Sequence, residues 1–169
     1  MGAARGGMKR LFLIRHAKSS WDDTALADRE RPLNERGKRD APKVGERLAR
    51  REVKPDLILS SPAARALMTA KIIAGKLDYK RKHIVVDERL YAAQADDLLE
   101  IIHALDDRLQ CVMIVGHNPE LSELAQRLCG EIDHLPTGAV AEFGFAAKSW
   151  SDIGACPTAT VALDYPKKS

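Results

Sequence analysis

The sequence has few cysteines, few aromatic residues and no long apolar run, and each of these absences excludes a class of protein. Its three cysteines are far apart and form no C-x-x-C pair, so neither a zinc site nor a disulfide framework is predicted. Aromatic residues make up only 5% of the chain and the basic residues form no stripe, which argues against nucleic-acid binding. No apolar run approaches the length of a membrane span or of a signal peptide. These absences favour a reduced, cytoplasmic protein with no nucleic-acid or membrane partner.

The overall composition is typical of one soluble globular domain. The chain has 169 residues, enough for one substantial core, and is 45% hydrophobic and 30% charged. Its 27 basic and 24 acidic residues give a net charge of +3, which suits an anionic substrate if a few cations converge. We predict a single domain over residues 9–166, with a flexible tail at 1–8 and a short C-terminal tail at 167–169.

Short apolar segments alternate along the chain with longer helical patterns. The segments predict strands at 10–14, 56–60, 83–87, 111–115, 139–145 and 158–163, and helices at about 34–51, 62–77, 95–108 and 119–129. The unbroken apolar runs "LFLI" and "VMIV" indicate strands that are covered on both faces. The pattern therefore predicts an α/β fold, a three-layer α/β/α sandwich with a mostly parallel central sheet.

The first predicted helix contains residues that conflict with a regular helix. Asn34 is a suitable N-cap, but Gly37, Pro42 and Gly45 lie inside the segment. Proline removes a backbone donor and clashes with the preceding turn. We therefore predict a kink near Pro42 or two shorter helices.

Three of the predicted strands lead directly into basic side chains. The first is followed by Arg15 and His16, the second by a serine-proline turn and Arg65, and the fourth by a glycine and His117. In open parallel sheets, ligands bind beyond the carboxyl ends of the strands. We therefore expect Arg15, His16, Arg65 and His117 to converge in one site.

The turn before Arg65 points to an anionic ligand. Ser61 can cap a helix whose first residue is Pro62, which places Arg65 in the first turn, where a cation opposes the helix dipole. A bound anion would resolve that conflict. Arginine binds phosphate bidentately, and a neutral histidine can attack phosphorus. Because the basic side chains can stabilise the phosphoryl charge, we predict that neither a metal nor another cofactor is needed.

Three segments, "LIRHAKS", "SSPAARALMTA" and "VGHNP", resemble the signature motifs of the histidine phosphatase superfamily, which includes the cofactor-dependent phosphoglycerate mutases. "RPLNERG" at 31–37 is similar to a segment of the short, bacterial phosphohistidine phosphatase branch, the SixA-like proteins. The resemblance implies a phosphoglycerate mutase-like fold. It also implies that His16 is the phosphorylated nucleophile and that Arg15, Arg65 and His117 form the rest of the phosphate pocket.

Further residues are candidates for the site. The resemblance suggests that Arg31 adds a positive charge. Ser19 lies in the loop after the nucleophile, and from that place we expect it to contact the phosphate or a partner. Larger members of the superfamily place a glutamate soon after the third strand to protonate an alcohol leaving group, and Glu88 stands at that place. A solvated acid in a turn is the competing interpretation of Glu88. The labile P–N bond of phosphohistidine makes such an acid less necessary.

The length of the chain favours the short branch of the superfamily. The residues between Arg65 and His117 leave no room for the helical insertion that covers the pocket in the mutases. An open pocket predicts a phosphatase that acts through His16 on a phosphorylated protein, such as a histidine phosphotransfer domain. Two alternatives remain open. One is a phosphatase of small phosphate esters, which a working Glu88 would favour, and the other is a non-catalytic phosphoryl-binding module.

Overall fold

A six-stranded sheet lies at the centre of the protein, for which the computed structural model describes residues 8–168. Its strands are β1 (Met8–Arg15), β2 (Leu57–Ser60), β3 (Val85–Val86), β4 (Cys111–Gly116), β5 (Val140–Ala146) and β6 (Thr158–Asp164). The α-helices are α1 (Glu35–Arg50), α2 (Ala64–Lys76), α3 (Ala95–His103) and α4 (Glu120–Cys129). Short 3₁₀ helices lie at Asp28–Glu30, Arg81–His83, Glu88–Leu90 and Trp150–Asp152.

The strand order in space is β3-β2-β4-β1-β5-β6. The first four strands of that order pair in parallel, whereas β5 is antiparallel to both of its neighbours. Strand β5 runs in reverse because the chain after α4 returns to the carboxyl end of β1. There the Arg15 amide donates to the carbonyl of Ala139, and the Gly138 amide donates to that of His16. The predicted mostly parallel sheet is confirmed, with β5 as the reversed strand.

Strand β1 divides the hydrophobic core into two parts. Leu11 and Leu13 pack with the apolar side chains of α3 and α4, whereas Phe12 and Ile14 pack with those of α1 and α2. Successive side chains of a strand point to opposite faces of a sheet, so the two helix pairs cover opposite faces. This arrangement confirms the three-layer α/β/α sandwich and explains the unbroken apolar run, since all four side chains are fully buried.

Helix α1 is continuous, so the predicted alternative of two shorter helices is wrong. The helix includes Pro42, and its buried face, with Val44 and Leu48, packs in the same cluster as α2. Burial of that face offsets the backbone hydrogen bond that proline cannot make. The predicted N-cap is present, because Oδ1 of Asn34 accepts the amide proton of Gly37 at 2.8 Å.

Gly37 lies where α1 passes against the loop that follows β1. A Cβ atom at this position would overlap the carbonyl oxygen of Lys18. Alanine normally stabilises a helix interior by about 1 kcal/mol relative to glycine. Here we expect Gly37→Ala to lower the free energy of unfolding by about 1–3 kcal/mol, because the overlap is with backbone. Urea denaturation measures this change.

Gly75→Ala is the matched control for that substitution. In α2, a Cβ on Gly75 would meet only the end of the Arg81 side chain, at 3.1 Å from Nη2. That end can move away at little cost, so we expect the Gly75→Ala protein to be as stable as the wild type or slightly more stable. Equal stabilisation by both substitutions would contradict the close approach at Gly37.

The predicted tails lie largely at the limits of the described residues. Of the segment 1–8, only Met8 is described, and it begins β1. At the other end, the Lys168 amide donates to the carbonyl of Tyr165, and residue 169 lies outside the described range. The single-domain boundaries therefore stay a prediction. No helix between residues 8 and 168 combines the length and the apolar character that a membrane crossing requires.

Candidate active site

A cavity of about 580 Å³ opens at the carboxyl ends of β1, β2 and β4. Arg15 ends β1 and His16 follows it, His117 follows β4, and Arg65 extends from the first turn of α2 above the end of β2. All four side chains line the cavity, and the two imidazole rings have their centroids 5.2 Å apart. The structure thus brings together the four residues that the strand ends predict.

The start of α2 differs from the prediction, because the helix begins at Ala64 and not at Pro62. The hydroxyl of Ser61 accepts the Ala63 amide proton at 3.2 Å and lies 2.8 Å from Nε2 of His117. The prediction that Ser61 caps the helix is therefore wrong: the N-cap residue is Ala63, and the Ser61 hydroxyl instead contacts His117. Within residues 8–168 the Ser61 hydroxyl has no other acceptor than Nε2, so we assign its proton to this hydrogen bond and the ring proton of His117 to Nδ1, which is then a donor.

One ring nitrogen of His16 has no hydrogen-bond partner among the described residues 8–168. Its Nδ1 lies 2.7 Å from the carbonyl oxygen of Ala17, which can only accept, so Nδ1 carries the proton and Nε2 the lone pair. The Ala17 amide donates to Oγ1 of Thr69, and that hydroxyl donates to the carbonyl of Arg65. Thr69 therefore joins the loop of His16 to the helix that carries Arg65.

Both histidines of the cavity are neutral at pH 7. Burial lowers the pKa of His16 to about 4, assisted by the positive charges of Arg65, Arg15 and Arg31, while the hydrogen bond to Ala17 opposes the shift. Burial, the neighbouring His16 and Arg65 lower the pKa of His117 to about 3. His16 Nε2 therefore keeps its lone pair well below neutral pH.

An NMR titration tests the low pKa of His16. We expect the Cε1–H chemical shift of His16 to stay constant from pH 8 down to about pH 5.5, because the ring takes up its proton only near its pKa of about 4. The resonance is assigned by its loss in His16→Ala. A titration midpoint near the ordinary histidine value of about 6.5 would contradict the burial argument.

Three buried nitrogen atoms of the cavity residues have no hydrogen-bond partner within residues 8–168. They are Nε of Arg15, Nε of Arg65 and Nδ1 of His117. The two terminal nitrogens of Arg65 donate to the backbone oxygen of Asp28 at 2.7 Å and to its Oδ2 at 3.0 Å. Nε is therefore the one guanidinium nitrogen of Arg65 that does not donate to Asp28. An unpaired buried donor costs about 1–3 kcal/mol. All three donors belong to residues that line this one cavity.

Arg31 and Ser19 also line the cavity. Both are buried, and Nη1 of Arg31 donates to Oγ of Ser19 at 3.0 Å. Nε and Nη2 of Arg31 donate to Oδ1 of Asp28 at 3.2 and 3.1 Å. Asp28 thus offsets part of the positive charge that Arg31 brings to the site.

The structure places Glu88 outside the cavity, which corrects the expectation that it stands beside the reacting group. Strand β3 is limited to Val85–Val86, and the 3₁₀ turn that follows buries Leu90 and directs Tyr91 into the cavity. Glu88 is exposed and pairs with Nη2 of Arg29 at 2.9 Å. The interpretation of Glu88 as a solvated acid in a turn therefore fits the structure.

Two other carboxyl groups line the cavity, and the sequence analysis did not single out either of them. Asp28 accepts a hydrogen bond from the hydroxyl of Tyr91 at 2.6 Å, and this bond, together with Arg65, lowers the pKa of Asp28 to about 2. Glu120, in the first turn of α4, is buried, and burial raises its pKa. Asp28 is a fixed anion, whereas Glu120 is the more easily protonated of the two.

A three-layer sandwich with arginines and histidines at the carboxyl ends of its central strands defines a phosphoglycerate mutase-like protein. Residues 11–101 match the family model of the histidine phosphatase superfamily (branch 1). The chain belongs to this superfamily, whose members are phosphatases or mutases.

Known relatives agree with this assignment. An uncharacterized chloroplastic protein of Arabidopsis thaliana is 35% identical over 153 residues, covering 85% of this chain and 70% of that protein. A structure assigned as the phosphohistidine phosphatase SixA of Agrobacterium tumefaciens is 33% identical, with a TM-score of 0.74, covering 80% of this chain and 90% of that one. The protein histidine phosphatase SixA in complex with tungstate has the same fold, with a TM-score of 0.78 and 22% identity, covering 93% and 97%.

Proposed function

We propose that the protein is a cytoplasmic phosphatase that removes phosphoryl groups from phosphohistidine in proteins. It would act through a covalent phosphohistidine at His16, without a metal or another cofactor. The observation that carries the proposal is the set of three unpaired donors, on Arg15, Arg65 and His117, in the cavity that also holds the neutral His16. The donors suit the oxygens of a phosphoryl group, and the free Nε2 of His16 suits an attack on its phosphorus.

The reaction would take place in two displacements. In the first, the Nε2 lone pair of His16 forms a bond to phosphorus while the bond from phosphorus to the substrate imidazole breaks, and that imidazole leaves with its electron pair and takes up a proton from solvent. In the second, the oxygen of a water molecule bonds to phosphorus while the bond from phosphorus to Nε2 of His16 breaks. The electron pair of that bond returns to Nε2, and the water protons leave with inorganic phosphate and solvent. The guanidinium groups of Arg15 and Arg65 stabilise the charge on the phosphoryl oxygens in both steps.

The form of the cavity favours a phosphoryl group that a protein presents. Between Arg65 and His117 the chain forms only the rest of α2, β3, two 3₁₀ turns, α3 and β4, with no helical insertion over the cavity. The cavity is bordered by exposed residues such as Lys18 and Gln94. The SixA relatives support the same substrate class, and tungstate, bound in one of them, is a tetrahedral oxyanion like phosphate.

A comparison of two substrates tests the proposal. Phosphate release is measured in EDTA from a histidine phosphotransfer domain carrying phosphohistidine and from phosphoserine, at equal phosphoryl concentrations. We expect faster release from the phosphorylated domain, with no release by the His16→Ala protein. Faster release from the ester would overturn the phosphohistidine assignment. Phosphate binding without release from either substrate would leave a phosphoryl-binding module.

A phosphatase of small esters is the second candidate function, and the position of Glu120 favours it. An alkoxide leaving group needs a proton in the transition state, and Glu120 is a buried carboxyl group of the cavity with a raised pKa. Glu88 is exposed and paired with Arg29, outside the cavity.

Replacing the two glutamates separates these candidates. We expect Glu120→Gln to lower any ester hydrolysis by about 10²-fold, the usual contribution of a general acid, and to change phosphohistidine hydrolysis by less than about tenfold. Glu88→Gln, the matched control, should leave both rates within about twofold, because a surface ion pair contributes little. The measurement is kcat/KM for each substrate. A larger loss on the ester from Glu88→Gln than from Glu120→Gln would contradict the structure.

A further inference from the structure

Two aromatic side chains line the cavity and have no part in the phosphoryl chemistry. Trp21 and Tyr91 both border it, and 69% of the Trp21 surface is exposed. The other exposed large hydrophobic residues within 8–168 are Met8, Val85 and Val86, which do not line the cavity. Exposure of so large an apolar ring is unfavourable in the free protein, and at a ligand cavity it indicates a surface that a ligand covers.

Trp21 is held on one face and open on the other. The guanidinium of Arg31 lies over the indole ring, 3.5 Å from its centroid. Arg31 is itself buried and fixed by hydrogen bonds to the side chain of Ser19, the carbonyl of Ser20 and the carboxylate of Asp28. The indole therefore rests on a fixed cation, while most of its surface faces solvent.

Tyr91 is fixed in the same network of hydrogen bonds. Its hydroxyl donates to Oδ2 of Asp28 at 2.6 Å, and the guanidinium of Arg29 lies 5.3 Å from its ring centroid. The ring stands nearly perpendicular to that of His117, at a centroid distance of 5.8 Å. Tyr91 thus adjoins one of the residues of the phosphate site, and Asp28 connects both aromatic residues to Arg65.

We infer that Trp21 and Tyr91 form a subsite for a flat ring attached to the phosphoryl group. In an in-line displacement, the leaving group lies opposite the attacking nitrogen, so it must project away from His16. A flat, conjugated ring stacks on an open indole face better than an alkyl chain does. This inference rests on the proposed function: the ring is the imidazole of phosphohistidine, bonded directly to phosphorus, and the subsite selects it against alkyl phosphoryl donors.

A pair of small substrates isolates the ring. Phosphoimidazole and phosphoramidate both carry a P–N bond, but only the first has a ring. We expect Trp21→Leu to lower kcat/KM for phosphoimidazole by about three- to tenfold, the range that aromatic stacking gives, and to change the value for phosphoramidate by less than about twofold. Val86→Ala, which trims an exposed apolar side chain outside the cavity, should change neither value. An equal loss on both substrates would show that Trp21 only holds Arg31, and would overturn the inference.

A second pair of substrates distinguishes an imidazole from a nucleobase. Adenosine monophosphate and ribose 5-phosphate differ only in the presence of the base, which lies several bonds from phosphorus. We expect Trp21→Leu to affect these two substrates equally. A ring-dependent loss confined to adenosine monophosphate would assign the subsite to a nucleobase and overturn the imidazole assignment.

A binding measurement separates failure of the subsite from failure of the proposed function. The chain has two tryptophans, and Trp150 is fully buried, so a change in tryptophan fluorescence on ligand binding reports on Trp21. We expect imidazolylmethylphosphonate, which cannot be hydrolysed, to alter this fluorescence and to bind about three- to tenfold more tightly than methylphosphonate. Ring-dependent binding without turnover of any P–N substrate would reject the proposed function and keep the subsite. Equal binding of both phosphonates would reject the subsite.

Discussion

Alanine in place of His16 should lower phosphate release from phosphohistidine by at least about 10⁴-fold, to the background rate. The variant keeps the donors of Arg15, Arg65 and His117, so it should still bind phosphate. What it loses is the Nε2 lone pair that forms the bond to phosphorus. The other imidazole of the cavity within residues 8–168 cannot replace it in the same way, because Nε2 of His117 lies 2.8 Å from the hydroxyl of Ser61. Single-turnover phosphate release measures the loss.

Trapping of the intermediate identifies which histidine is phosphorylated. In the wild type, rapid quenching with alkali after reaction with a ³²P-labelled substrate should leave label on the protein, because phosphohistidine is stable to alkali and labile to acid. The His16→Ala protein should carry no label. A labelled intermediate on the variant would assign the nucleophile to His117 and reject the proposed mechanism.

Equilibrium unfolding at several pH values tests whether the His16→Ala protein folds as the wild type does. The pKa of His16 is lowered from an ordinary value of 6.5 to about 4, so between these pH values the unfolded chain binds a proton that the folded protein does not. His16 therefore destabilises the wild type progressively as the pH falls through that window. We expect the variant to unfold cooperatively at pH 8 and to lose less stability than the wild type between pH 7 and pH 5.

The cavity residues that follow strand ends could be predicted from the sequence. Arg15, His16 and His117 directly follow apolar runs, and neighbouring parallel strands deliver their carboxyl ends to one edge of the sheet. Arg65 could be predicted near the start of a helix, because a serine-proline turn precedes it. The helix begins at Ala64 and ends at Lys76, slightly inside the predicted range, and Ser61 contacts His117 and does not cap the helix.

The cavity residues that lie in loops and 3₁₀ turns could not be predicted in the same way. Asp28 and Tyr91 meet across 63 positions of sequence, in segments with no helical or strand periodicity. Their meeting depends on how the loop after β1 lies against α2. Glu88 was expected at the site because an acid follows the third strand. That strand is two residues long, and the turn after it directs Tyr91, three positions later, into the cavity.

Replacement of Arg65 by alanine should lower kcat for phosphohistidine by about 10²- to 10³-fold, or about 2.7–4 kcal/mol in transition-state free energy. Its unpaired Nε donor is buried in the cavity, where a hydrogen bond to a phosphoryl oxygen is stronger than it would be in water. Arg65→Lys should recover only part of the loss, since lysine keeps the charge but not the planar fork of donors. Steady-state kinetics with the phosphorylated domain gives kcat and KM separately.

Arg29→Ala is the matched control, because it removes an equal charge near the same cavity. Arg29 is exposed and pairs with the exposed Glu88, so the substitution should change kcat by less than about threefold. In Arg65→Ala, the carboxylate of Asp28 keeps its hydrogen bonds from Arg31 and Tyr91, so the loop should remain in place. If Arg65→Ala and Arg29→Ala lowered kcat equally, Arg65 would contribute only long-range charge. A direct contact between Arg65 and the phosphoryl group therefore requires that the loss of kcat in Arg65→Ala be at least tenfold greater than the loss in Arg29→Ala.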